Sequence, residues 1–334
     1  MEIERVDLED SRVADAWYEV YARAARFELP YATPWLRCEV PEQFKPSLRN
    51  DASAWSGSIA GRVVCVGTIE IPRLDNTHMA NLGVYTDPQD RRRGYGSRML
   101  AHLEQLARAA GRRTTYAETE YPIDASEDGR GYAGPEFAYA NGYTFGLGDV
   151  MRRQPLPVAT ERLRCLAESA AVHHADYRLA AFPGRVPDAW VADYVSLGAR
   201  VMSDAPSGTL ELEAESSEVA PFREGELRHE RQGRLSYSAI ALHEGRAVGF
   251  TKVSVARSDR SLGYQWGTLV AAEHRGHRLG LALKVANLLQ VQEQEPEMRS
   301  IVTWNAEVNE PMISVNERLG YVAVERGGAF EKRW

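Results

Sequence analysis

Residues 88–100 read PQDRRRGYGSRML, and residues 272–284 read AEHRGHRLGLALK. In both, arginines precede a glycine and an amphipathic stretch follows at once. A strand that opens through such a loop into a helix leaves several backbone N–H groups without partners. The helix start adds roughly half a positive charge. Together these make an anion site well matched to phosphate. Gly94 and Gly96 remove side chains where a ligand would approach the backbone. Arg91, Arg92 and Arg93 add positive charge at the mouth, with Tyr95 and Ser97 opening the helix. In the second stretch Arg275, Gly276, His277, Arg278, Leu279 and Gly280 hold the corresponding places.

A mononucleotide loop would need Gly-Lys-Ser or Gly-Lys-Thr, which both copies lack. A dinucleotide fingerprint needs a third glycine and a place at the first strand. The first copy has Met99 at the third position and stands several strands into the chain. Neither standard nucleotide reading fits.

The surrounding elements repeat as well. The first half predicts a helix over 10–25 and strands over 54–60 and 62–72, turned at Ala60-Gly61. A strand over 78–86 enters the Arg/Gly loop. From Tyr95, residues Met99, Leu100, Leu103, Leu106, Ala107 and Ala110 recur at helical spacing, and Gly111 stops that helix. A strand over 113–119, a short helix ending at Asn141-Gly142 and a strand from Tyr143 follow. Pro155 and Pro157 mark a boundary, giving domains 1–156 and 157–334, with a helix over 158–173 after it. The second half predicts a strand over 177–182, helices over 187–203 and 219–232, and strands over 234–242, 247–255 and 263–270. After the loop come a helix, a strand over 300–305, a helix over 309–319 stopped at Gly320, and a strand from Tyr321. Arg91 to Gly142 spans 51 residues and Arg275 to Gly320 spans 45. Landmarks recurring at that separation indicate duplication of a whole domain.

Composition agrees with two cores: 334 residues, 44% apolar and 26% charged. A net charge of -7 disfavours a nucleic-acid partner. Three scattered cysteines suggest neither a disulfide framework nor a metal site. The opening MEIERVDLED has no apolar core of a signal peptide. No apolar run is long enough to span a bilayer. A cytoplasmic protein without membrane attachment, a monomer or homodimer, is expected.

The chain resembles the GNAT superfamily of acyl-CoA N-acyltransferases. That family's signature is Val-x-Pro-x-x-(Arg/Gln)-x-x-Gly-x-(Gly/Ala) after the fourth strand. Residues 86–96, TDPQDRRRGYG, match it with Thr86 in place of Val. Residues 270–280, VAAEHRGHRLG, match with Ala272 for Pro and Arg278 for the first Gly. NEPMISVNERLGY, residues 309–321, resembles the family's later helix, which opens on Asn. The resemblance covers nearly the whole chain as two tandem modules, as in mycothiol synthase-like proteins. It implies an α/β (α+β) fold of two domains, each a mixed, mostly antiparallel twisted sheet flanked by helices. It implies that the loops bind the pyrophosphate of acetyl-CoA. The pantetheine arm would lie along Val84, Tyr85 and Thr86 in one copy and Thr268, Leu269 and Val270 in the other. Asn309 would face the cofactor.

Acyl transfer to an amine needs a route for the amine proton and a proton for the leaving thiolate. The family often supplies a Glu and a Tyr, but the matching positions are Ala80 and Tyr264, and Ala138 and Asn316. The substitutes are Glu118 and Glu120 near the end of a strand, Tyr139 beside the acid position, and Tyr264 with Trp266 on one strand face. Glu118, Tyr139 and Tyr264 are the candidate catalytic residues. The acidic run Glu211, Glu213, Glu215 and Glu218 is a candidate wall for a cationic acceptor. The reading is an N-acetyltransferase that uses acetyl-CoA, without metal, on a small-molecule amine. The alternatives are transfer of another acyl group, transfer to a hydroxyl, and an acyl-CoA-binding protein without transfer.

Overall fold

Short turns and helix caps set the path in both halves. The computed structural model describes residues 1–200 and 208–334. Its first elements are β1 (Glu2–Arg5), α1 (Ser11–Ala25), α2 (Val40–Gln43), β2 (Asn50–Ile59) and β3 (Arg62–Pro72). They continue with β4 (Met79–Thr86), α3 (Tyr95–Ala109), β5 (Thr114–Pro122), α4 (Ala133–Ala140) and β6 (Thr144–Pro155). Then come α5 (Thr160–Ala171), β7 (Arg178–Pro183), α6 (Asp188–Ala199), α7 (Val219–Arg231), β8 (Arg234–His243) and β9 (Arg246–Ala256). The last are β10 (Asp259–Val270), α8 (Leu279–Gln294), β11 (Ser300–Ala306), α9 (Glu310–Leu319) and β12 (Val322–Arg333).

The Asp10 carboxylate accepts from the N–H groups of Arg12 and Val13 and starts α1. Ala60 and Gly61 both have positive φ and close the β2–β3 hairpin, and Glu244 and Gly245 close β8–β9 in the same way. Two positive φ values suit the right-handed twist of a tight hairpin. The elements follow the sequence expectation closely. The four-residue β1 had no alternation to reveal it, and the last three residues of the helix expected over 187–203 lie outside the described residues.

The chain forms two units. The first holds Met1–Val150, the stretch 208–211 and Val324–Trp334. Its strand order is β1-β2-β3-β4-β5-β12-β6. Trp17, Val20 and Tyr21 of α1 pack one sheet face. Met99, Leu100 and Leu103 of α3 pack the other, with Phe330 of β12. The second unit holds most of the chain from Met151 to Ala323, and its order is β6-β11-β10-β9-β8-β7. Val191, Tyr194 and Val195 of α6 cover one face. Leu281, Val285 and Leu288 of α8, with Leu163 of α5, cover the other. Each unit is thus a largely antiparallel sheet between helices.

A division at 156/157 puts the final strand with the second half. In the structure it pairs antiparallel with β5, from Glu325 opposite Pro122 to Arg333 opposite Thr114. Strand propensity is local, but the partner of a strand is not.

Candidate functional site

In both units the parallel strand pair at the centre opens. β4 and β5 pair only at Met79–Asn81 with Thr114–Tyr116. β10 and β11 pair only at Leu262–Tyr264 with Ser300–Val302. Past those points Val84, Tyr85 and Thr86 stay bonded to β3, and Thr268, Leu269 and Val270 stay bonded to β9. The inner edges of β4 and β10 are left with unused backbone groups, which an extended amide-bearing chain can bond. β10 also carries a bulge between Gln265 and Thr268. The Gln265 amide pins it by donating to Thr251 Oγ1, Lys252 O and Trp266 O.

The opened strands lead into the two Arg/Gly corners. After a single turn at Pro88–Asp90, Arg91 is extended, Arg92 has φ 64° and Gly94 has φ 79°. After a turn at Ala272–His274, Arg275 is extended, Gly276 has φ 87° and Arg278 has φ 52°. The two backbones take the same path, with two left-handed positions each. Glycine fills the second position in one copy and the first in the other. Arg278 therefore leaves the backbone route intact, at about 1–2 kcal/mol of local strain. Neither α3 nor α8 has a side-chain N-cap, so both present leading N–H groups to an anion.

The side chains of the two corners differ. In the first, Arg91 lies 4.4 Å over the Phe27 ring and donates to Ala24 O at 3.5 Å. Arg93 pairs with Asp90 at 3.1 Å. Arg92, Gly94 and Ser97 are exposed, the Arg92 side chain with no partner among the described residues, while Tyr95 and Gly96 are half-buried. In the second, Arg275 donates to Val270 O. Arg278 donates to Ser169 O at 3.1 Å, and His277 Nδ1 lies 3.0 Å from His173 O. The C-terminal end of α5 thus already engages the charge of the second loop. Leu279 is core and Gly280 is half-buried.

Beyond its opening, β5 places Tyr116, Glu118 and Glu120 on one face. The Tyr116 hydroxyl donates to Glu118 at 2.5 Å. Glu120 has no hydrogen-bond or ion-pair partner among the described residues and keeps exposed surface. Loss of hydration, with the like charges of Glu325 and Glu118, pushes its pKa up to about 7. Glu325 arrives from β12, two residues from Gly327, which stands opposite Glu120. The Tyr85 hydroxyl is pushed upward by burial and then by Glu120 and Glu118. Its ring meets Tyr21 of α1 edge-on at 4.8 Å.

The other candidates are placed differently. The Tyr139 hydroxyl donates to Asp128 O at 3.1 Å, and Arg130 covers its ring at 3.4 Å. Tyr264 is buried, with its ring parallel to those of Trp266 and Trp304 and beneath Arg234. Asn309 caps α9, accepting from Met312 N at 3.4 Å. Glu211 pairs with Arg333 at 2.8 Å.

Sequence reasoning missed Lys284, a basic residue among the apolar residues of α8. It is 3% exposed and donates to Asn316 Oδ1 at 2.5 Å, while Asn316 donates to Asn305. Burial pushes its pKa down to about 7. An unfolded Lys titrates near 10.4. Between about pH 7 and pH 10 the unfolded chain therefore binds the extra proton, and stability rises with pH across that window. Lys284→Met removes this dependence. The variant should gain more stability at pH 6.5 than at pH 9.5 relative to wild type. Urea unfolding at the two pH values checks the difference.

Among the described residues no group of His, Cys, Asp or Glu could hold a metal. No described helix is long and apolar enough to cross a membrane.

Residues 14–127 match the acetyltransferase (GNAT) family model. No curated protein matches the chain. A tandem GNAT protein from the clavulanic acid biosynthesis pathway, solved without acetyl-CoA, is 26% identical with a TM-score of 0.80. That match covers 99% of this chain and 98% of the other. A GCN5-related N-acetyltransferase from Sphaerobacter thermophilus is 14% identical with a TM-score of 0.62, covering 99% and 95% of the two chains. The second likeness concerns the fold alone. The duplicated opened strands and Arg/Gly corners, the family match over residues 14–127 and the end-to-end likeness to a tandem relative together support a tandem GNAT-superfamily protein.

Proposed function

We propose that the first unit transfers an acetyl group from acetyl-CoA to the amine of a small-molecule acceptor, with Glu120 as the base. The carrying observation is Glu120 itself. It is an unpartnered carboxylate with a pKa near 7, on a strand that diverges from the one leading to the Arg/Gly corner. A base poised near the working pH is well matched to a proton transfer. In this reading the corner and Arg92 hold the pyrophosphate, and the inner edge at Val84–Thr86 holds the pantetheine arm. Glu120 takes a proton from the acceptor ammonium. The freed nitrogen attacks the thioester carbonyl, forming C–N as C–S breaks. The nitrogen then sheds its second proton and the thiolate leaves as thiol. Glu118, held by Tyr116, lines the same face.

The second unit holds the same corner with its side chains already engaged by α5. That favours an acyl-CoA-binding or structural role for it. Thiol release from acetyl-CoA, followed from pH 6 to pH 9 with a panel of amines, tests the reading. We expect at least one amine to raise release well above hydrolysis. If none does at any pH, while acetyl-CoA still binds, the protein binds acyl-CoA without transferring to amines. Alcohols and longer acyl-CoA thioesters in the same assay test the hydroxyl and acyl alternatives.

A further inference from the structure

The carboxylate face of the first unit holds more negative charge than one reacting amine can use. Register places Glu118 and Glu120 of β5 on it, and Glu325 of β12 joins them. The residues of β12 opposite Glu120 and Glu118 are Gly327 and Ala329. A Cβ built on Gly327 would meet nothing nearer than 3.9 Å. The sheet surface beside the carboxylates is therefore low and open rather than filled by side chains.

Glu325 is the unusual member. It is 1% exposed. One carboxylate oxygen accepts from Tyr31 N at 2.7 Å. The other, Oε2, is buried with no partner. Among the described residues no Lys or Arg pairs with Glu118, Glu120 or Glu325. A buried carboxylate oxygen without a donor is costly unless something supplies one. Like charges gathered on one face add repulsion that a bound proton or a cation relieves.

We propose that the acceptor carries two cationic nitrogens, one reacting beside Glu120 and the other donating to Glu325 Oε2. This rests on the transfer reading above. A monoamine brings a single positive charge, and acylation removes it. The second ammonium or guanidinium keeps its charge throughout the reaction and satisfies the orphaned oxygen. Tyr21 and Tyr85 line the same face with aromatic surface, which suits the apolar spacer and a neighbouring cation.

The experiment compares 1,4-diaminobutane, 1,6-diaminohexane and 4-guanidinobutylamine with butylamine and hexylamine. At pH 8.5, kcat/KM for at least one dication should exceed that of its matched monoamine by about tenfold or more, the worth of one charge-assisted bond. Glu325→Gln should bring that ratio to within about threefold of unity. Calorimetry of the same amines without acetyl-CoA reads the pocket independently of turnover and of whether the variant folds. There, a dication should bind wild type about tenfold tighter than its monoamine. Equal constants for the matched pairs in wild type, by kinetics where amines turn over and by calorimetry where they do not, overturn the dication proposal. An absence of transfer to any amine overturns the transfer reading instead.

Discussion

Replacing Glu120 with Gln should lower kcat/KM for an amine acceptor by about a hundredfold at pH 8, the lower end of what a positioned base contributes. The pH profile should change with it. Glu120 works as a base only when ionised, so the wild-type rate should rise through about pH 7 as its carboxyl loses a proton. Loss of hydration sets this value first, then the like charges of Glu325 on β12 and Glu118 on its own strand, and Glu120 in turn raises the hydroxyls of Tyr85 and Tyr21. Both neighbouring carboxylates hold the proton on, so removing either should move the limb to lower pH. Deprotonation of the acceptor adds a second rise at higher pH. In Glu120→Gln the limb near pH 7 should vanish, leaving only the acceptor's own limb. Glu118→Gln should cost much less, because the Glu118 carboxylate already accepts from Tyr116. Rates from pH 6 to pH 9 for the two variants decide the matter. A Glu120→Gln enzyme that keeps the wild-type rate and limb would place the base elsewhere.

What the sequence could show follows from how local each feature is. The two Arg/Gly corners were legible because loop, glycine and helix start are contiguous. The hairpins at Ala60-Gly61 and Glu244-Gly245 were legible for the same reason. Arg278 was open to misreading. Letters alone suggest a damaged loop, but the backbone keeps the path of the first copy because a left-handed position there can hold an arginine at modest strain. What changes is the side chain, tied to a carbonyl of α5, and that tie is tertiary. The opening between β4 and β5 depends on where pairing stops, which no window of sequence records. Glu325 was invisible. It lies at the far end of the chain, in a strand whose partner is β5, and only that register sets it beside Glu120. Among strand-end carboxylates, Glu118 and Glu120 were indistinguishable until the Tyr116 hydroxyl was seen on one of them.

The corners themselves should bind acetyl-CoA unequally, and one substitution in each shows it. Gly94 starts α3 with φ 79°, and a Cβ built there meets nothing within 4 Å. Gly94→Glu thus adds no clash, and a carboxylate near a helix N-terminus is favourable to the helix. The fold should survive the left-handed strain. The same carboxylate would lie in the phosphate position, repelling the ligand and taking its N–H donors. Loss of one charge-assisted bond is worth about 1.5–3 kcal/mol, so affinity should fall at least about tenfold. The matching residue in the second unit is Arg278, also left-handed and also leading an uncapped helix. Its guanidinium already serves Ser169 O, so Arg278→Glu should change the tight site less than about threefold. Calorimetric titration of wild type should accordingly show two unequal sites, or one. Two equal sites in wild type, or equal losses in the two variants, would mean that the engagement of the second loop by α5 does not discriminate between the corners.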